Sequence, residues 1–193
     1  MHAQQNYTKF SKDQLEKIGH TAIYLSSKIP QLSKTKLLKL FYILDEISIK
    51  KSGIPFLNLK YKVWKLGPVS EELFIDLSSD KIELLDKFIE KTKGLEWDLI
   101  IPKIEFSDDE FSDNDIALLD YVIERFGEQS TNELIKHTHQ EGSLWHNKAK
   151  ENNVLEMLQK GEIGNTEYLI DMSDLVSDDD RKKGIYTDFI EMF

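Results

Sequence analysis

Apolar residues first recur at helical spacing between Ser11 and Ile29, where Leu15, Ile18, Ala22, Ile23 and Leu25 line one stripe behind the capping pair Ser11 and Gln14. Pro30 pushes the residue before it out of the helical region, so Ile29 is the expected boundary. A denser pattern follows from Ser33 to about Lys51. There Leu37, Leu38, Leu40, Phe41, Ile43, Leu44 and Ile47 leave only a narrow polar side carrying Lys36, Lys39 and Glu46. This predicts the most buried helix of the fold, closed by Gly53 as a left-handed end residue and by Pro55.

From Leu57 to Trp64 the period changes to two. Leu57, Leu59, Tyr61 and Val63 share one face and Lys60 and Lys62 the other, which predicts a short strand or extended arm. Gly67 and Pro68 then form a turn with Pro68 near the start of a new helix, whose buried stripe is Val69, Leu73, Phe74 and Leu77. Ser79 or Asp80 is placed to cap a further helix through Lys91, with Ile82, Leu85, Phe88 and Ile89 inward. A second extended segment, Leu99 to Phe106, is placed to pair with the first, with Pro102 at an edge.

Ser112 with Asp115 opens a helix over Asp113 to Phe126, and Ser130 with Glu133 opens a short one through Lys136. The last third is broken by Gly142, Gly161, Gly164 and Gly184. A charged turn over Ser177 to Lys183 precedes a final helix to Phe193. The expected fold is mainly α: a compact helical domain spanning residues 1–193, with a small two- or three-stranded antiparallel β element.

Composition narrows the chemistry. The 193 residues include no cysteine, which removes disulfides, thiolate zinc sites and a cysteine nucleophile and fits a reducing cytoplasm. Met1 to Phe10 is polar, and no apolar run is long enough to cross a bilayer, so neither export nor membrane anchoring is expected. A formal net charge of -10 opposes a broad phosphate-binding face.

Three histidines, His137, His139 and His146, lie close together, but a spacing of two puts His137 and His139 on different sides of a helix, unlike an HExxH pair. The carboxylate runs Asp108 to Glu110 and Asp178 to Asp180 read as solvated surface rather than as acid–base pairs. Neither a GxSxG motif nor a phosphate-cradling glycine loop occurs. No catalytic residue, metal or cofactor is therefore expected. Lys34, Lys36, Lys39, Lys50, Lys51, Lys60, Lys62 and Lys65 form a basic band around Tyr61 and Trp64. It reads either as a nucleic-acid face or as the ordinary polar side of a helix and an edge strand. Trp64, Trp97 and Trp145 each lie near a loop, as anchors for a partner or as lids on the core.

The segment Lys36-Leu37-Leu38-Lys39-Leu40-Phe41-Tyr42, then Gly53-Ile54-Pro55, then Trp64-Lys65-Leu66-Gly67-Pro68-Val69 resembles, in order and spacing, the signature of the Panacea domain of SocA-like antitoxins. Thr138-His139 followed by Trp145 resembles a later element of that family. The likeness extends over roughly Leu15 to Lys150, leaving 151–193 as an extension packed on it, and departs at Lys62-Val63-Trp64, where the family is often richer in alanine. The resemblance implies a mainly helical antitoxin with a small sheet, encoded in prophages or mobile elements. Such a protein neutralises a cognate toxin protein by direct binding, and at least one branch delivers its toxin to a AAA+ protease. Tyr61, Trp64, Gly67, Pro68, His139 and Trp145 are the expected motif or partner-binding residues. A nucleic-acid-binding regulator of a mobile-element operon is the alternative.

Overall fold

The computed structural model describes residues 10–192. Expectations for the polar N-terminal segment before Phe10, and for a last helix reaching Phe193, lie outside the described residues. Helices α1 (Lys12–Lys28) and α2 (Lys34–Ser52) are followed by a hairpin of β1 (Lys62–Trp64) and β2 (Gly67–Val69), then by α3 (Glu71–Ser78). A second antiparallel hairpin, β3 (Ile89–Lys93) and β4 (Asp98–Pro102), lies against α1. The remainder is helical: α4 (Asp113–Phe126), α5 (Thr131–Thr138), α6 (Leu144–Glu151), α7 (Leu155–Lys160), a 3-10 turn (Met172–Val176) and α8 (Asp180–Glu191). The fold is thus mainly α with minor β, and no helix among the described residues is long and apolar enough to cross a membrane.

Helix α2 is the axis of the structure. It contacts α3, α4, α5, α8, both hairpins and the 3-10 turn, and from Lys36 to Asp45 every residue is buried. A helix buried on all sides has no face on which to leave charged groups in water, so each of its buried charges must find an internal partner. Lys36 donates to the Gly127 carbonyl at 2.6 Å, and Lys39 to the Pro68 carbonyl at 2.6 Å. Asp45 accepts from the backbone N–H groups of Leu57, Asn58 and Leu59 at 2.6, 3.2 and 3.2 Å, and from the Tyr61 hydroxyl at 2.7 Å. The expected polar side carrying Lys36 and Lys39 therefore points inward.

The ends of the helices follow their sequence signals. Ile29 closes α1, and Gly53, at φ +82°, closes α2. Capping boxes at Ser112 with Asp115 and Ser130 with Glu133 are complete. At α1 only half the box forms: Ser11 accepts from the Gln14 N–H, while the Gln14 amide donates to the carbonyls of Leu57 and Asn58.

Four expectations change. Residues 80–91 form no helix, because the buried Asp76 carboxylate captures the N–H groups of Glu83, Leu84 and Leu85 at 2.7, 2.9 and 3.3 Å. Ile82, Leu85, Phe88 and Ile89 still face inward, but from a turn and the start of β3. The two extended segments do not pair with each other: each has its own hairpin partner, with Val63 opposite Pro68 in one and Lys91 opposite Ile100 in the other. Pro68 lies in β2, and α3 begins three residues later behind Ser70. Gly184 lies inside α8, whose start at Asp180 converts part of the expected charged turn into helix.

Replacing Asp45 with alanine leaves the buried amides of Leu57 and Leu59 and the half-buried amide of Asn58 without their acceptor, and the Tyr61 hydroxyl with only the Phe41 carbonyl. We expect a loss of about 3 kcal/mol or more, read as a lower urea midpoint in equilibrium unfolding.

Candidate functional site: a sealed lysine beneath the Gly67 turn

Five of the six sequence-selected residues meet around the β1–β2 turn. Gly67 occupies φ +101°, a backbone state that residues with a Cβ rarely adopt. Its missing side chain lets three groups approach. A Cβ built there would lie 2.7 Å from Thr138 Oγ1, 3.3 Å from Lys39 Nζ and 3.4 Å from His139 Nε2. Pro68 fixes the next residue, and its carbonyl holds the Lys39 ammonium.

The other side of the turn is closed by tryptophan. Trp145, 1% exposed, donates its indole N–H to the Trp64 carbonyl at 2.8 Å and stacks on His139, with ring centroids 3.7 Å apart and planes inclined by 13°. Trp64 is half-buried; its indole N–H donates to the Thr166 carbonyl at 3.2 Å, and its ring meets Phe74 edge-on at 4.9 Å. Tyr61 lies apart from this group. It is 1% exposed, bonded to Asp45, with Tyr42 edge-on to its ring at 5.0 Å. Tyr61 and Trp145 are thus core residues, and their contacts are internal.

Burial sets the charge of the site. The enclosed Lys39 ammonium is lowered to about 7 because it is cut off from water, and His139 falls to about 4 through burial first and the nearby Lys39 second. His139 is thus neutral at neutral pH and Lys39 holds its proton far less firmly than an exposed lysine, in an enclosure where His139 Nε2 has no hydrogen-bond partner among the described residues. Lys39 was quoted in the motif but read as a surface lysine. The apolar residues on both sides of it, Leu37, Leu38, Leu40 and Phe41, were the signal for a helix without a wet face. Thr138, which stands beside His139 in the motif, also lies against the turn.

Above the turn opens a cleft of about 350 Å³ with Leu38, Trp64, Leu66, Val69 and Phe74 on its walls and Gly67 and Lys39 at its base. It is apolar and can receive a side chain. The amine below it, 1% exposed, is sealed from any ligand of that size.

The remaining candidates disperse. His137 packs on Phe126 at 5.2 Å between ring centroids, and His146 Nδ1 is buried away from the other two histidines' partners. Among the described residues no three His, Asp or Glu side chains converge as metal ligands would. The lysine band is divided. Lys36 and Lys39 are buried, Lys50 pairs with Glu46 at 2.6 Å, and Lys62 pairs with Glu71 and Glu167, both at 2.5 Å. Lys51, Lys60 and Lys65 remain on the surface. The Asp178 to Asp180 run caps α8, Asp179 accepting from the Lys182 N–H at 3.0 Å.

Two outcomes are expected. Gly67→Ala combines a strained backbone with a close approach to Thr138 and lowers stability by about 2 kcal/mol or more in denaturant melts. For Lys39 the folded state prefers the neutral amine while the unfolded chain holds its proton up to about 10. Stability therefore rises with pH from about 7 toward 10, by up to about 1.4 kcal/mol per pH unit. Lys39→Met removes that slope, so the stability difference between wild type and variant should grow with pH in urea melts across that window.

The model of one protein family, described as antitoxin SocA-like, Panacea domain, matches residues 37–146, from the core of α2 to the first turn of α6. No curated protein and no solved structure matches the chain. The matched region contains Lys39, the Gly67 turn and the His139–Trp145 stack, and it covers more than half the chain, which therefore belongs to the SocA-like antitoxin, Panacea domain family.

Proposed function

We propose that this protein is the antitoxin of a toxin–antitoxin module and neutralises a cognate toxin protein by direct binding, without making or breaking a covalent bond. The observation that carries the reading is the family match over residues 37–146, which takes in Lys39, the Gly67 turn and the His139–Trp145 stack. The chemistry agrees with it. The strongly perturbed Lys39 and His139 are enclosed and lie against the turn, while the apolar cleft above them is open to a partner. In this reading the signature residues build a rigid frame, and the toxin meets the surface that the frame shapes. Occlusion of the toxin is the mode we favour. Delivery to a AAA+ protease is a further step on the same interface, and it would lower the toxin's steady-state level rather than only its activity.

The test is co-expression with the product of the adjacent gene in a bacterial host. Growth arrest by that product alone, relieved when this chain is present, is the expected result, together with co-purification of the two. Leu66→Asp, which puts a charge on the cleft's exposed rim without touching the buried frame, should abolish relief while leaving the melting temperature within about 2 °C of wild type. Absence of both growth relief and co-purification would overturn the reading.

A further inference from the structure

A second and larger cleft, of about 580 Å³, lies where the first turns of α2 and α5 meet β4 and the end of α3. Its walls carry Lys34, Lys36 and Lys91 and one carboxylate, Asp98, with the 49%-exposed Trp97 on its rim. Asp98 is already engaged by Lys93 at 3.2 Å. Among the described residues the wall lysines hydrogen-bond neutral oxygens, and Lys34 also lies over the Phe74 ring at 4.5 Å. Lys34 donates to Ser78 Oγ at 2.7 Å, Lys36 to the Gly127 carbonyl and Lys91 to the Ser79 carbonyl. Elsewhere Lys28, Lys62, Lys87 and Lys103 each have a carboxylate partner.

Charge in this cleft is therefore only partly compensated, by Asp98 acting on Lys34 and by Glu133, in the first turn of α5, acting on Lys36. Burial first and the neighbouring Lys91 second still push Lys34 below its usual value, against the opposing pull of Asp98, as for two cations held side by side in a partly dry place. The backbone adds to it: the first turn of α2 carries no acidic residue, and its cap Ser33 lies 3.5 Å from Thr131 in the first turn of α5. In a chain of net charge -10 this is a local reversal of sign.

We propose that this cleft receives a short acidic segment of a protein partner, with carboxylates meeting Lys34 and Lys91 and an apolar side chain resting on Trp97. The proposal rests on the reading that the chain works by binding a protein, and it names the chemistry of the partner. Charge complementarity selects carboxylates, and the extent of the patch selects a short segment. A long phosphate backbone would extend beyond the cleft over the rest of a chain of net charge -10, whereas a few carboxylates stay within the screening length of about 8 Å.

Fluorescence anisotropy of labelled hexaglutamate with the full chain at low salt tests this, with hexaglutamine and hexathymidylate as further probes. Hexaglutamate should bind, weaken as salt is added, and weaken at least about tenfold in K34E/K91E, while hexaglutamine stays free. The milder K34Q/K91Q variant, checked for an unchanged melting temperature, should also lose the peptide. No binding of hexaglutamate, binding unchanged in K34Q/K91Q, or tighter capture of hexathymidylate through the same lysines would overturn the proposal. Growth relief by the wild-type chain is scored in parallel. Relief that persists while the peptide result is negative removes the acidic-segment proposal alone, and loss of wild-type relief removes the toxin-binding reading itself.

Discussion

A helix with no wet face depends on internal partners for its polar side chains, and in this protein the buried charged ones of α2 find them by seizing the backbone of the surrounding loops, while the buried Tyr42 hydroxyl has no hydrogen-bond partner among the described residues. Lys36 holds the end of α4, Lys39 holds the Gly67 turn, and Asp45 holds residues 57–59. An unpaired buried cation or carboxylate would cost several kcal/mol, so each of these bonds fixes a loop as firmly as the core fixes a helix. The same device recurs outside α2. Asp76 gathers the amides of 83–85, His20 Nδ1 accepts from the Ser107 N–H at 3.0 Å, and Trp145 reaches the Trp64 carbonyl. Chain that would otherwise be mobile between elements becomes part of the packed body.

That constraint gives the family signature a physical meaning. Lysine, glycine, proline, histidine and tryptophan stand at these positions because one buried amine, one turn without a side chain and one stacked imidazole fit together in a single enclosure. The enclosure is a support. Two clefts lie outside it, the apolar one at Trp64 and Leu66 and the cationic one at Lys34 and Lys91. Such a division suits binders that share one scaffold and recognise different partners.

Most helices were legible in the sequence because their signals are local: periodic apolar residues, Ser caps with an acid three residues on, and Gly53 at the end of α2. The losses share one cause. A helix over 80–91 was predicted from good spacing, but Asp76, earlier in the chain, competes for its amides. Strand pairing was misjudged because each hairpin finds its partner next door, Gly67 to Val69 being too short to announce a strand. In the site, Trp64, Gly67, Pro68, His139 and Trp145 were named from the motif and do assemble, while Tyr61 belongs to the Asp45 cluster. Lys39, named in the motif and the basic band, reads as surface, and Asp45 draws no attention, because charged residues are ordinarily exposed and only their density of apolar neighbours argues otherwise.

Whether buried side chains of α2 truly lock the loops is read most directly by native-state hydrogen exchange at the Leu57 and Leu59 amides, which lie outside regular secondary structure and donate to Asp45. If the lock holds, both exchange only through global unfolding, with the same free energy as amides in the middle of α2. Exchange at the rate of an ordinary surface loop, while α2 stays protected, would contradict it.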